Sequence, residues 1–121
     1  MLFRSVAGPV HADLVALDGS GERFELRLRI ASGHHIVAHE AGAEGLAGLD
    51  AQSRDDGVRI EAAWPAGQPD ATGVRSHAGA VTVPIRLLAP VPAPRPLRLT
   101  VRWQCCTDRA CLAPEEWRLE A

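Results

Sequence analysis

The chain has 121 residues, of which 46% are apolar and 23% charged, with a formal net charge of −2. That is the length of one ordinary domain with one core. The near-neutral charge argues against nucleic acid as a main partner. No apolar run approaches the roughly 20 residues of a membrane helix, and Met1-Leu2-Phe3-Arg4 lacks the apolar stretch of a signal peptide. All 13 basic residues are arginine. The missing lysine excludes Schiff-base chemistry and a Walker A phosphate loop.

In chain order the pattern reads as all-β. Val10 to Leu17 is mostly apolar and ends at the turn cluster Asp18-Gly19-Ser20-Gly21. Phe24, Leu26, Leu28 and Ile30 alternate with charged residues, which predicts a strand with one wet face. After Ser32-Gly33, His34 to Ala38 reads as a short strand or a continuation past a bulge. His39 to Asp56 has no strong period and reads as a long connection, with a short helical turn near Leu46 and Leu49. Val58, Ile60 and Ala62 predict another strand, ended by Trp64-Pro65, and Ala66 to Gly79 a polar loop. Val81, Val83, Ile85 and Leu87 form the next apolar face. Pro84, on the opposite parity, suggests an edge strand or a bulge. Pro90, Pro92, Pro94 and Pro96 predict a stiff extended connection. Leu97, Leu99, Val101 and Trp103 form one more alternating face, and Trp117 and Leu119 the last. About seven short strands in one domain over residues 1–121 predict an antiparallel β-sandwich, with a small closed barrel as the alternative.

The three cysteines, Cys105, Cys106 and Cys111, lie within seven residues. A disulfide scaffold would spread an even number along the chain, so this bunching points to a local site. On an unbroken strand Cys105 shares the core-facing parity of Trp103, and Cys106 points out with Gln104. Cys105 then reads as core filler. The four residues between Cys106 and Cys111 allow a turn that would bring their Cα atoms to a disulfide distance of about 5.5 Å. Such a small loop contributes least to stability through chain entropy, so a bridge there is placed for exchange. A hairpin staple and two unpaired thiols are the other readings. Asp108 is expected to cap the turn through its side chain. A carboxylate there would oppose a thiolate and Arg109 would favour one.

The stretch Val101-Arg102-Trp103-Gln104-Cys105-Cys106-Thr107-Asp108-Arg109-Ala110-Cys111-Leu112-Ala113-Pro114 resembles the closing motif of the amino-terminal domain of the DsbD protein-disulfide reductases: aromatic, Gln, small, Cys, x, Asp, x, x, Cys, x, Pro, Pro. Ser32 to Ala38 and Gly79 to Leu87 are similar to two further stretches of that family. The resemblance implies an immunoglobulin-like sandwich in the periplasm or another extracytoplasmic space. It implies electrons taken from a thioredoxin-like protein or domain and passed to oxidised proteins by Cys106 and Cys111, with Cys111 as the exchanging thiol. It implies no cofactor, and contact with a membrane only through a larger parent protein; a monomer is expected. Gln104 and Asp108 match motif positions, and His35 falls near an active-site aromatic. Three departures stand out. Ala113 replaces the second proline, histidines stand where the family has tyrosines, and residues 68–78 lack a capping aromatic.

Two other functions fit the residues. His34, His35 and His39 with Cys106 and Cys111 could form a mixed metal site, although no paired Cys-x₂-Cys template exists. An immunoglobulin-like module could instead bind partners through its loops or edges, with the bridge as a staple. Trp103 reads as core packing, or as a shield over the neighbouring disulfide.

Overall fold

The computed structural model describes residues 8–17, 19, 21–41, 45–88 and 96–121. Among the described residues the strands are β1 (Val10–Ala16), β2 (Arg23–Ile30), β3 (His35–Val37), β4 (Asp50–Ser53), β5 (Ile60–Ala62), β6 (Gln68–Pro69), β7 (Arg75–His77), β8 (Ala80–Leu87), β9 (Arg98–Trp103), β10 (Cys105–Cys106) and β11 (Glu115–Glu120). A 3-10 turn covers His39–Ala41. The strands form three antiparallel sheets, ordered β1-β2-β8-β5, β11-β9-β4 and β10-β3-β7-β6. This is an all-β, immunoglobulin-like sandwich whose third, smaller sheet carries the cysteines.

Period-2 alternation builds the core. Phe24, Leu26, Leu28 and Ile30 of β2 are buried while Arg27 and Arg29 are exposed. Val81, Val83 and Ile85 of β8 join them from one sheet, and Leu99, Val101 and Trp103 of β9 from another, in one continuous cluster. Each such side chain contributes about 1.5–3 kcal/mol when fully buried. At the β1–β2 turn, Gly21 takes a φ of 73°, which suits glycine, and Leu17 N–H donates to Arg23 C=O. Asp18 and Ser20 of that cluster lie outside the described residues, as do Pro90, Pro92 and Pro94 of the proline tract; Pro96 is exposed.

The structure departs from the sequence pattern in four places. The turn expected near Leu46 and Leu49 lies earlier, at His39–Ala41, and Leu49 is instead a fully buried core residue. Asp50–Ser53, expected within a connection, is strand β4; the open edge of β9 recruits it by backbone pairing rather than by an apolar face. Residues 66–79 hold the β6–β7 hairpin, formed in the same way along β3. Pro84 sits in an interior strand, between β2 and β5. Its carbonyl accepts from Ala63 N–H, but it has no N–H to return, and β5 ends one residue earlier, at Ala62.

Gly67 is where the β6–β7 hairpin is pressed onto the rest of the fold. A Cβ there would meet the Ala38 Cβ at 2.7 Å and the Ser76 nitrogen at 2.9 Å. Its N–H donates to Glu40 (3.1 Å) and its carbonyl accepts from Arg75 (2.8 Å), so the backbone is held on both sides. Gly67→Ala is expected to cost about 1–3 kcal/mol through this overpacking. Urea denaturation of the oxidised protein measures it, and an unchanged midpoint would contradict the close approach.

Candidate functional site: the Cys106–Cys111 bridge and its surroundings

The site begins where β9 ends. Trp103, Gln104, Cys105 and Cys106 are all buried, which a strand with one wet face, as β9 has at Arg102, cannot achieve. The chain leaves the β11-β9-β4 sheet after Trp103 and re-pairs with β3, so Cys105 faces Ile36 and Cys106 faces His35 in register. The expectation that Cys106 points to solvent is therefore corrected: it is 3% exposed. The change of sheet at Gln104 breaks the parity on which that expectation relied. Cys105 is 1% exposed, in the core as expected, and free. Burial pushes its thiol pKa up and the charge of Glu115 adds to this, so it stays a neutral thiol.

Cys106 and Cys111 are joined by a disulfide. They face each other as an isolated antiparallel bridge, flanked by Thr107 N–H donating to Ala110 C=O and Leu112 N–H donating to Cys105 C=O, both at 2.8 Å. Cys106 and Cys111 themselves exchange no backbone bond. Pairs of this kind are the closely spaced ones in antiparallel ladders, and the Cα atoms are 3.9 Å apart. Cys111 is exposed, so the bridge has one buried sulfur-bearing residue and one open to solvent.

Thr107 closes the turn: its Oγ1 accepts from the N–H groups of Arg109 and Ala110 (both 3.3 Å). The expectation that Asp108 is the cap is corrected, because the threonine two residues before Arg109 already fills that position. Asp108 and Arg109 are exposed on the turn. Gln104 holds the turn to the fold. Its Oε1 accepts from Ala47 N–H (2.7 Å) and its Nε2 donates to Leu112 C=O (3.0 Å). Trp103 lies fully in the core, tilted on Trp117 at 5.2 Å, as the packing reading expects.

His35 is brought beside the bridge. It sits opposite Cys106, and its Nε2 lies 3.3 Å from Asp70 Oδ2, with both side chains 17% exposed. Asp70 builds the turn of the β6–β7 hairpin: its Oδ1 accepts from Thr72 N–H (2.8 Å), Thr72 Oγ1 (2.6 Å) and Val74 N–H (3.0 Å). These bonds, led by the one from Thr72 Oγ1, hold its carboxyl below the ordinary carboxylate range. Asp70 escaped the sequence analysis, although Asp70-Ala71-Thr72-Gly73 carries the signal of an Asx turn. Hairpin and cysteine turn share a groove of about 680 Å³, lined in part by His34, His35, Asp70, Thr107 and Asp108.

The three histidines do not converge. His34 Nδ1 donates to Ser32 C=O, His35 goes to Asp70, and His39 Nδ1 donates to Leu49 C=O while its ring stacks on Trp64. Among the described residues no three His, Cys, Asp or Glu side chains gather as metal ligands. Among the same residues no helix is long and apolar enough to cross a membrane.

A sandwich of this type with a two-cysteine bridge at the tip of its last hairpin defines a class of disulfide-bearing β-domains. The chain belongs to the family described as thiol:disulfide interchange protein DsbD, N-terminal, which matches residues 6–121. Among solved structures it is similar to the reduced DsbD N-terminal domain of Neisseria meningitidis, with a TM-score of 0.63 and 15% identity over 93% of this chain and 84% of that one. It is also similar to the N-terminal periplasmic domain of ScsB from Proteus mirabilis, with a TM-score of 0.63 and 18% identity over 92% of this chain. It covers 43% of that ScsB chain. At these identities the likeness speaks for the fold. No curated protein sequence matched.

Two outcomes follow from the geometry. Gln104→Ala removes the buried amide that pairs Ala47 N–H and Leu112 C=O, and is expected to cost about 1–3 kcal/mol. Chemical denaturation of the oxidised protein checks this, with faster amide exchange at Ala47 as the local signature. Asp70 has a folded pKa below its unfolded one. Its stabilising contribution is therefore present above the unfolded value and lost as pH falls through the folded one. Asp70→Asn is expected to destabilise the protein at pH 7, by an amount that shrinks toward pH 2, as thermal melts at the two pH values would reveal.

Proposed function

We propose that this chain is a thiol–disulfide exchange module, acting as one domain, that relays electrons from a thioredoxin-like protein or domain to oxidised extracytoplasmic proteins. The observation that carries the reading is the asymmetric bridge: Cys111 is open to solvent while Cys106 is buried beneath it and Cys105 is sequestered in the core. Membership of the DsbD N-terminal family supports the chemistry, and the periplasmic ScsB domain supports the compartment.

The exchange runs through Cys111. A partner thiolate attacks its Sγ, a partner–Cys111 bond forms, the Cys106–Cys111 bond breaks, and Cys106 leaves as the thiolate. The second thiol of the partner then attacks the partner's own sulfur in the mixed disulfide and releases Cys111. The partner ends oxidised and this chain holds two thiols. In the second half, Cys111 attacks a disulfide of the target, and Cys106 displaces the target sulfur and re-forms the bridge. Two electrons pass in each half and no cofactor is needed. Gln104 keeps the turn in place whether the bridge is open or closed, since its two bonds involve no sulfur.

Equilibration of the folded protein in a glutathione series, followed by alkylation and peptide mass mapping, tests the reading. The expected result is a Cys106–Cys111 bridge that opens and closes reversibly, with Cys105 unmodified throughout and melting still cooperative. Mixing the oxidised wild type with a reduced thioredoxin-like protein that lacks its resolving cysteine is expected to trap a mixed disulfide on Cys111 and not on Cys106, as peptide mapping would show. A bridge that opens only after unfolding would make it a hairpin staple and sink the proposal.

A further inference from the structure

Attack on Cys111 creates a negative charge on Cys106, a residue 3% exposed. A buried thiolate without a partner is costly, and a leaving thiol of higher pKa leaves more slowly. The exposed turn residues answer this need poorly, because Asp108 has the wrong sign and Arg109 is exposed, where solvent and salt screen its charge. The residue directly across the ladder from Cys106 is His35. Cross-strand partners share a face, with Cβ atoms about 5.5 Å apart.

His35 is built into its place. Its Nε2 is 3.3 Å from Asp70 Oδ2, and the side chains of both are 17% exposed. Asp70 in turn is immobilised, since its other oxygen takes three bonds from Thr72 and Val74. A fixed carboxylate on one ring nitrogen orients an imidazole and sets which way its other nitrogen faces. Among the described residues no hydrogen bond engages Nδ1, the other ring nitrogen. We propose that His35, oriented by Asp70, is the group that stabilises the Cys106 thiolate during exchange, with Asp70 as its positioning residue. The assignment rests on the exchange reading above. The imidazolium donates no electron and forms no covalent bond; it lowers the energy of the thiolate that the S–S cleavage has already produced.

The other titratable groups around His35 are accounted for. His34, His77 and Asp108 line the same groove. His34 is bonded to Ser32 C=O, and burial holds the His77 pKa down. On the neighbouring elements, Arg75 is engaged with Gly67 C=O and Glu40 with Gly67 N–H.

The test compares reduction of the folded, oxidised wild type and His35→Gln by dithiothreitol from pH 5.5 to 9. Glutamine keeps a donor for Asp70 and removes the charge. Taking the ratio of the two rates at each pH cancels the titration of the reductant. The wild type is expected to be faster by about three- to tenfold at pH 5.5, with the ratio falling to one by pH 9 as imidazoles become neutral. His35→Arg, whose charge does not titrate, is expected to exceed the wild type at pH 9. Thermal melts on the same samples report the fold, and the His35→Gln ratio decides the question if the arginine variant does not fold. A ratio of one at every pH would overturn the assignment. So would a ratio that is constant with pH, the signature of a structural role. A wild-type bridge that resists dithiothreitol at every pH would overturn the exchange reading and this assignment together. Normal wild-type reduction with a flat ratio would overturn the assignment alone.

Discussion

The passage of the chain from one sheet to another at Gln104 is the constraint on which the site depends. Up to Trp103 the strand belongs to the sandwich, and its alternate side chains fill the core. From Cys105 it belongs to the small sheet with β3. The residue between carries both jobs: its backbone carbonyl accepts from Val37 N–H, and its side-chain amide spans Ala47 and Leu112. A buried amide with both ends satisfied fixes geometry in a way an apolar residue could not, because a misplaced chain would leave polar groups dry and unpaired. The cysteine turn is thus anchored at its base while its tip stays open to solvent.

The same change of sheet separates the three thiols. Cys105 is turned into the core and kept neutral by burial, so it does not compete for the bridge. Cys106 is covered, and Cys111 is presented. Adjacent cysteines with different fates are possible only because each step along the ladder reverses the side chain's face, and the bend at Gln104 then shields both faces at Cys105 and Cys106. The small residue expected at position 105 by the DsbD-like motif is here a cysteine, and the core accommodates it as a small hydrophobe.

On the other side of the groove the β6–β7 hairpin is stabilised by polar contacts rather than by an apolar face. Asp70 organises its turn, Gly67 allows it to sit against Ala38 and Ser76, and Glu40 and Arg75 bind the Gly67 backbone from either side. Where relatives are expected to place aromatic residues near the disulfide, this chain has a histidine and an aspartate in contact. The surroundings of the bridge are therefore polar where an aromatic cover was expected.

The long alternating strands β2, β8 and β9 and the apolar residues of β1 were legible in the sequence, because burial of one face imposes a period that survives in the residues themselves. So were the core placement of Cys105 and the cysteine motif that pointed to the family. The strands β4, β6 and β7 were not legible, since their stability comes from backbone bonds to an already formed edge and leaves no apolar pattern in Asp50–Ser53 or Arg75–His77. The interior position of Pro84 depended on where β5 stops. What the amino-acid order determined by itself is the fold class and the identity of the sulfur atoms, both of which reside in local spacing. Only the tertiary structure decided which sulfur is covered and that His35 stands across the ladder from Cys106 and beside Asp70. Those are contacts between segments up to about seventy residues apart, and their geometry is set by how the sheets pack, which no local pattern encodes.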